Sequence, residues 1–204
     1  MAGRRDSGRH QWAAHEHLHC SCLECAPEPG VHHTGLYFRA RRRIAPHLFG
    51  PRLGFSGKTP LLGRQQKYLF NLYDIAALWR LPWQWPLGET DWKIETRLIT
   101  SAGALQGAGE TGLMATLVPD LALSGWNGFV SVDAGVGLGF FSKYHFGVQD
   151  FGGPVQIVAT VGITVNPVAH AYAGFRIQHF SDAQVYGPNA LGVDMYIAEL
   201  GYRF

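Results

Sequence analysis

The chain reads as all-β: an eight-stranded antiparallel transmembrane β-barrel preceded by a disordered or irregular N-terminal segment. Three observations predict this. From His47 onward, extended segments with period-two alternation are separated by turn-rich stretches. The polar faces carry Lys93, Glu95, Arg97, Asp133, Arg176, Glu199 and Arg203, a set able to pair inside a narrow lumen, with Glu199 expected to group with Arg176 and Arg203. Aromatic residues (Trp79, Trp83, Trp85, Trp92, Tyr202, Phe204) gather at the expected strand ends, as an interfacial girdle requires.

The last strand is the clearest element. In Val193–Phe204, Tyr196, Ala198, Leu200, Tyr202 and Phe204 share one face, and Met195, Ile197, Glu199, Gly201 and Arg203 share the other. Its length meets the roughly 9–11 residues that a tilted membrane-spanning strand needs. The ending Tyr202-Arg203-Phe204 resembles the C-terminal assembly signature of bacterial outer-membrane barrels. The other strands are expected at about 47–55, 67–79, 92–101, 111–123, 129–141, 155–165 and 168–181. The second ends at Arg80-Leu81-Pro82-Trp83, where proline stops pairing, the segment 102–110 is a loop, and Asn166-Pro167 is a tight turn. In the fifth, Val130, Val132, Val136, Leu138 and Phe140 oppose Ser131, Asp133 and glycines.

Composition agrees with this class. Of 204 residues, 16% are charged and 13% aromatic, and the mean hydropathy of −0.03 is what alternating segments produce. No apolar run reaches the roughly 18 residues of a membrane helix. A net charge of +2 gives no reason to expect nucleic acid. Alternation does not by itself say which face is outside, so a lipocalin-like soluble barrel with its apolar face around a ligand stays open as an alternative. The lumenal charges, the girdle and terminal Phe204 favour the membrane.

Residues 1–45 differ from residues 46–204, which form the expected barrel. They hold all three cysteines, six of the ten histidines and the run Arg41-Arg42-Arg43. Before Ala45 there are 7 basic and 4 acidic residues, which leaves 10 and 11 for the rest. No apolar signal core is present, so this part reads as a disordered leader or as a misassigned start in place of a signal peptide. His15, His17, His19, Cys20, Cys22 and Cys25 are zinc-ligand types, but no standard finger spacing occurs, and no metal or other cofactor is expected.

The seventh strand carries the chemistry. Ala169, Ala171, Ala173, Phe175, Ile177, His179 and Ser181 share one face, so His179 and Ser181 are strongly polar groups on an apolar, lipid-directed wall. Two residues apart on a strand, their side chains point the same way at roughly 6–7 Å, which suits a serine nucleophile activated by histidine. Asp194 has the parity of Tyr196 and Phe204, and an antiparallel neighbour can bring it beside His179 to fix the imidazole tautomer.

The segments His179-Phe180-Ser181-Asp182-Ala183, Gly187-Pro188-Asn189, Gly192-Val193-Asp194 and Gly201-Tyr202-Arg203-Phe204 resemble the lipid A 3-O-deacylases, the PagL-type acyloxyacyl hydrolases. The likeness runs over residues 47–204, through Arg80-Leu81-Pro82-Trp83, Thr111-Gly112 and Gln149-Asp150-Phe151-Gly152-Gly153-Pro154. The resemblance implies an eight-stranded bacterial outer-membrane barrel, active on its outer wall, that hydrolyses the 3-O-linked 3-hydroxyacyl chain of lipid A in lipopolysaccharide. It implies His179 as general base, Ser181 as nucleophile, Asp194 as the acid and Asn189 as an oxyanion-side donor. Membrane lipid is then a partner, and a homodimer is compatible with such a barrel.

Two departures stand out. The family motif usually has Asn after the serine, where this chain has Asp182, and an ionised carboxylate there supports but does not donate. The acid is Asp on a segment one residue longer than usual, so its carboxylate is expected to reach less far towards His179. A non-catalytic barrel of the same fold is therefore the competing reading. Lys143, Tyr144 and His145 are candidates to meet the glucosamine phosphates.

Overall fold

The computed structural model describes residues 44–58, 66–187 and 191–204. The His15–Cys25 cluster and Asn189 lie outside the described residues. Eight antiparallel strands close into a barrel: β1 (Ala45–Ser56), β2 (Phe70–Pro86), β3 (Lys93–Gly107), β4 (Glu110–Gly125), β5 (Val130–Phe141), β6 (Val155–Val168), β7 (Ala171–Ser181) and β8 (Val193–Arg203). Each strand pairs with its sequence neighbours, and β8 returns to β1. Closure leaves no edge unpaired.

Several strands run longer than their sequence limits. Pro82 does not end β2: the β2–β3 register shifts between Arg80 and Gln84, and pairing then resumes through Trp85 and Pro86. A bulge accommodates the missing N–H without breaking the barrel wall. The expected loop 102–110 is mostly strand, because Ala102-Gly103-Ala104 pairs on both sides and only Ala108 and Gly109 turn, both at positive φ. Gly103 is needed there, since a Cβ would fall 2.1 Å from the Tyr73 carbonyl oxygen. Asn166-Pro167 stays within β6 at a register shift, and the turn comes at Ala169-His170 instead.

The apolar face points outward. Val136 and Leu200 are 62% and 63% exposed, with Leu53, Ile75, Leu121 and Ile163 exposed alongside them. A lipocalin-like arrangement would bury this face, so the chain does not adopt it. The lumen is polar in its middle: Arg176 donates to Glu199 at 2.9 Å and to Asp133 at 2.6 and 3.2 Å, while Arg52 pairs with Asp74. Arg203, expected in the Glu199 group, lies instead at the mouth where the strands start and end. Arg52, which the alternation of β1 turns inward, takes that place at 3.6 Å from Glu199.

At the opposite end the lumen is filled by apolar side chains. The 142–154 connection carries a two-residue ladder (His145–Phe146 with Gln149–Asp150) and tucks Phe146 and Phe151 against Phe70 at 5.4 and 5.5 Å. Phe151 also meets Phe141, which packs on Phe180 at 5.4 Å. These buried rings make the ends of β5 and β7 and the start of β8 a rigid platform.

Candidate active site

Register and the aromatic plug together aim the chemistry of β7. Arg176, Gln178 and Phe180 are buried inside the barrel, so Ile177, His179 and Ser181 project to the outer wall. Phe180, fully buried between His179 and Ser181, pins the strand so that neither polar side chain can turn inward.

Asp194 stands directly opposite His179 in the β7–β8 ladder, and its Oδ1 contacts His179 Nδ1. The shorter side chain therefore does reach the imidazole. Nδ1 faces the carboxylate, so Nε2 is the ring nitrogen turned away from it. Asp194 is 1% exposed and His179's side chain 16%, so the pair is shielded from water while the imidazole keeps an open edge. Ser181 follows on the same side of β7, and no hydrogen bond joins its hydroxyl to His179. Such contacts commonly form only when substrate closes the site.

Three residues that alternation could not single out hold this pair. Gln66, buried at the entry to β2, donates to Ser56 Oγ at 3.0 Å and the Gly57 carbonyl at 3.2 Å, and accepts the Asp194 N–H at 3.0 Å, in the amide orientation that satisfies both ends. Fully buried Gln149 accepts the Lys67 N–H at 2.9 Å and reaches the Gly192 carbonyl at 3.5 Å. Leu191 N–H donates to the Asp150 carbonyl at 2.8 Å, so the 142–154 connection braces the start of β8. Gly192 leaves room for the imidazole: a Cβ would lie 2.7 Å from the Phe180 oxygen and 3.1 Å from His179 Cε1. The variant Gly192→Ala is expected to lower kcat about 10–100-fold with KM little changed, because it would displace the imidazole that the sequence predicts as general base, and small displacements of such a group are costly. Steady-state kinetics on an ester substrate, with a melting curve to show the barrel intact, checks this.

Asp182 takes a supporting position. Its carboxylate accepts the N–H groups of Gln184 at 3.0 Å and Tyr186 at 3.1 Å, closing a turn in which Ala183 and Gln184 have positive φ. The acceptor role suits a carboxylate where an oxyanion donor's would not. Tyr186 packs so closely on Gly153 that a Cβ there would be 2.4 Å from its ring. The loop basic residues are engaged with acids: Lys143 donates to Glu110 at 2.9 Å and His145 lies 3.0 Å from Asp150. Among the described residues, no group of three or more His, Cys, Asp or Glu is placed to hold a metal.

A solved chain described as the crystal structure of the outer membrane enzyme PagL shares this fold, with a TM-score of 0.61 and 17% identity over 75% of this chain and 96% of that one. No curated protein sequence matches the chain. The family model for lipid A 3-O-deacylase (PagL) matches residues 71–203, which covers β2 to β8 with the His179–Asp194 pair and Ser181, and the chain belongs to that family.

Proposed function

We propose that the protein is an outer-membrane esterase that removes the 3-O-linked 3-hydroxyacyl chain of lipid A through Ser181, His179 and Asp194. The His179–Asp194 contact on the outer, apolar side of the barrel carries this reading, with Ser181 two residues along the same strand. An ester whose acyl chains stay in hydrocarbon presents its carbonyl to such a wall at headgroup depth.

The geometry supports the following steps. His179 Nε2 takes the Ser181 hydroxyl proton as Oγ attacks the ester carbonyl, and Asp194 steadies the imidazolium at Nδ1. Collapse of the tetrahedral intermediate breaks the bond to the glucosamine 3-oxygen, which leaves with the proton from His179. The acyl group is then on Ser181. Water, deprotonated by His179, attacks the acyl-enzyme and releases the 3-hydroxy fatty acid. Asn189 is the proposed donor to the developing oxyanion, and Asp182 shapes the turn that leads to it.

Incubation of the refolded protein with lipid A in detergent, followed by mass spectrometry, tests the proposal. Loss of a single 3-hydroxyacyl mass, with the free hydroxy acid recovered, is the expected outcome. An unchanged lipid A spectrum would favour the non-catalytic barrel.

A further inference from the structure

The end of the barrel opposite Ser181 holds a cavity of about 250 Å³ that the esterase reaction does not use. Its lining comes from the outermost residues of the strands at that end, including Arg80 of β2, Lys93 and Arg97 of β3, and Arg203 of β8. Against these four cations stands one carboxylate, Glu95, which is shared by Lys93 at 2.8 Å and Arg80 at 3.4 Å. Arg80 also donates to His47 Nε2 at 2.9 Å, so that ring nitrogen is an acceptor and His47 is neutral there.

Arg97 and Arg203 are left over. Among the described residues neither has a carboxylate within ion-pair distance. Arg97 is 2% exposed, donates to Ser124 at 3.3 Å through one terminal nitrogen and has no partner for Nε. Asp120, across the β3–β4 ladder, and Glu95 feel its charge, yet neither comes within ion-pair distance of it. A buried guanidinium with an N–H left without an acceptor is costly, and rings of Arg and Lys in pores are the usual solution for binding anions. Planar forks of N–H donors match the oxygens of phosphate in particular.

We propose that this mouth binds a phosphate oxyanion, held by Arg97 and Arg203 with Lys93 at the rim. The cavity accommodates inorganic phosphate with a few waters, a water taking about 30 Å³. The same chemistry is offered by a lipid phosphate reaching in from the surrounding leaflet. The site is separate from the catalytic wall, so its test needs no lipid A turnover.

The experiment is thermal melting of the refolded full chain in zwitterionic detergent, with sodium phosphate titrated against sodium chloride at matched ionic strength and pH. A saturable rise of roughly 2–4 °C specific to phosphate is expected, at least halved in Arg203→Gln and in Lys93→Gln. A parallel arm melts the protein in phosphatidylcholine vesicles with and without phosphatidic acid. A shift in that arm alone, lost in the same variants, assigns the site to a lipid phosphate. Shifts no larger than chloride gives in both arms, or shifts that both variants retain, would overturn the proposal.

Discussion

Replacing Ser181 by alanine is expected to lower turnover of lipid A about 10³–10⁶-fold while the barrel keeps its melting temperature. The size follows from the mechanism, since without Oγ no acyl-enzyme forms and only binding and oxyanion contacts remain. The stability half follows from position: Ser181 is a half-buried outward side chain whose hydroxyl makes no hydrogen bond within the described residues. His179→Ala should cost nearly as much, and the double variant little more, because the two act as one unit. Rates from the mass-spectrometric assay, compared in a double-mutant cycle, check this. Additive losses would show that the two side chains act independently.

The second large effect is on stability. Arg176→Met should destabilise the barrel by about 3–5 kcal/mol, because it leaves Asp133 and Glu199 buried without their main counter-charge. Arg176 is 1% exposed and donates to both carboxylates and to Thr160. Adding Asp133→Asn and Glu199→Gln to Arg176→Met should recover a large part of the loss, since the penalty comes from the stranded charges. Denaturant midpoints for the single and triple variants measure this. Equal midpoints for Arg176→Met and the parent would mean that lumenal water replaces the arginine.

Much of the barrel was legible in the sequence because a period of two is set by the backbone itself. Val132, Val136, Leu138 and Phe140 are exposed on the outer wall, and Asp133 and Glu199 are inside, as their parity requires. The juxtaposition of His179 with Asp194 was equally legible, being a matter of parity and of consecutive antiparallel strands. Strand ends were harder. Pro82 and Pro167 look like stops, but a barrel with every strand paired on both sides absorbs them in register shifts.

What the sequence did not disclose comes mostly from loops and from pairing across the barrel. Nothing in the 142–154 segment marks Phe146 and Phe151 as a plug for the lumen, or Gln149 as the brace of Gly192. Gln66 supports Asp194 from a connection that carries no periodic signal. Arg176 was legible as a partner of Glu199, but the second one required knowing that β1 closes on β8, which brings Arg52 beside it where Arg203 had been expected.

The central claim is that His179, Ser181 and Asp194 act together on an ester presented by the surrounding membrane. A long-chain alkyl phosphonofluoridate dissolved in the bilayer around the reconstituted protein, followed by peptide mass mapping, tests it most directly. The account predicts one phosphonyl adduct, on Ser181, formed at least tenfold more slowly in His179→Ala. An adduct on another residue, or none on Ser181 from a preparation that deacylates lipid A, would contradict it.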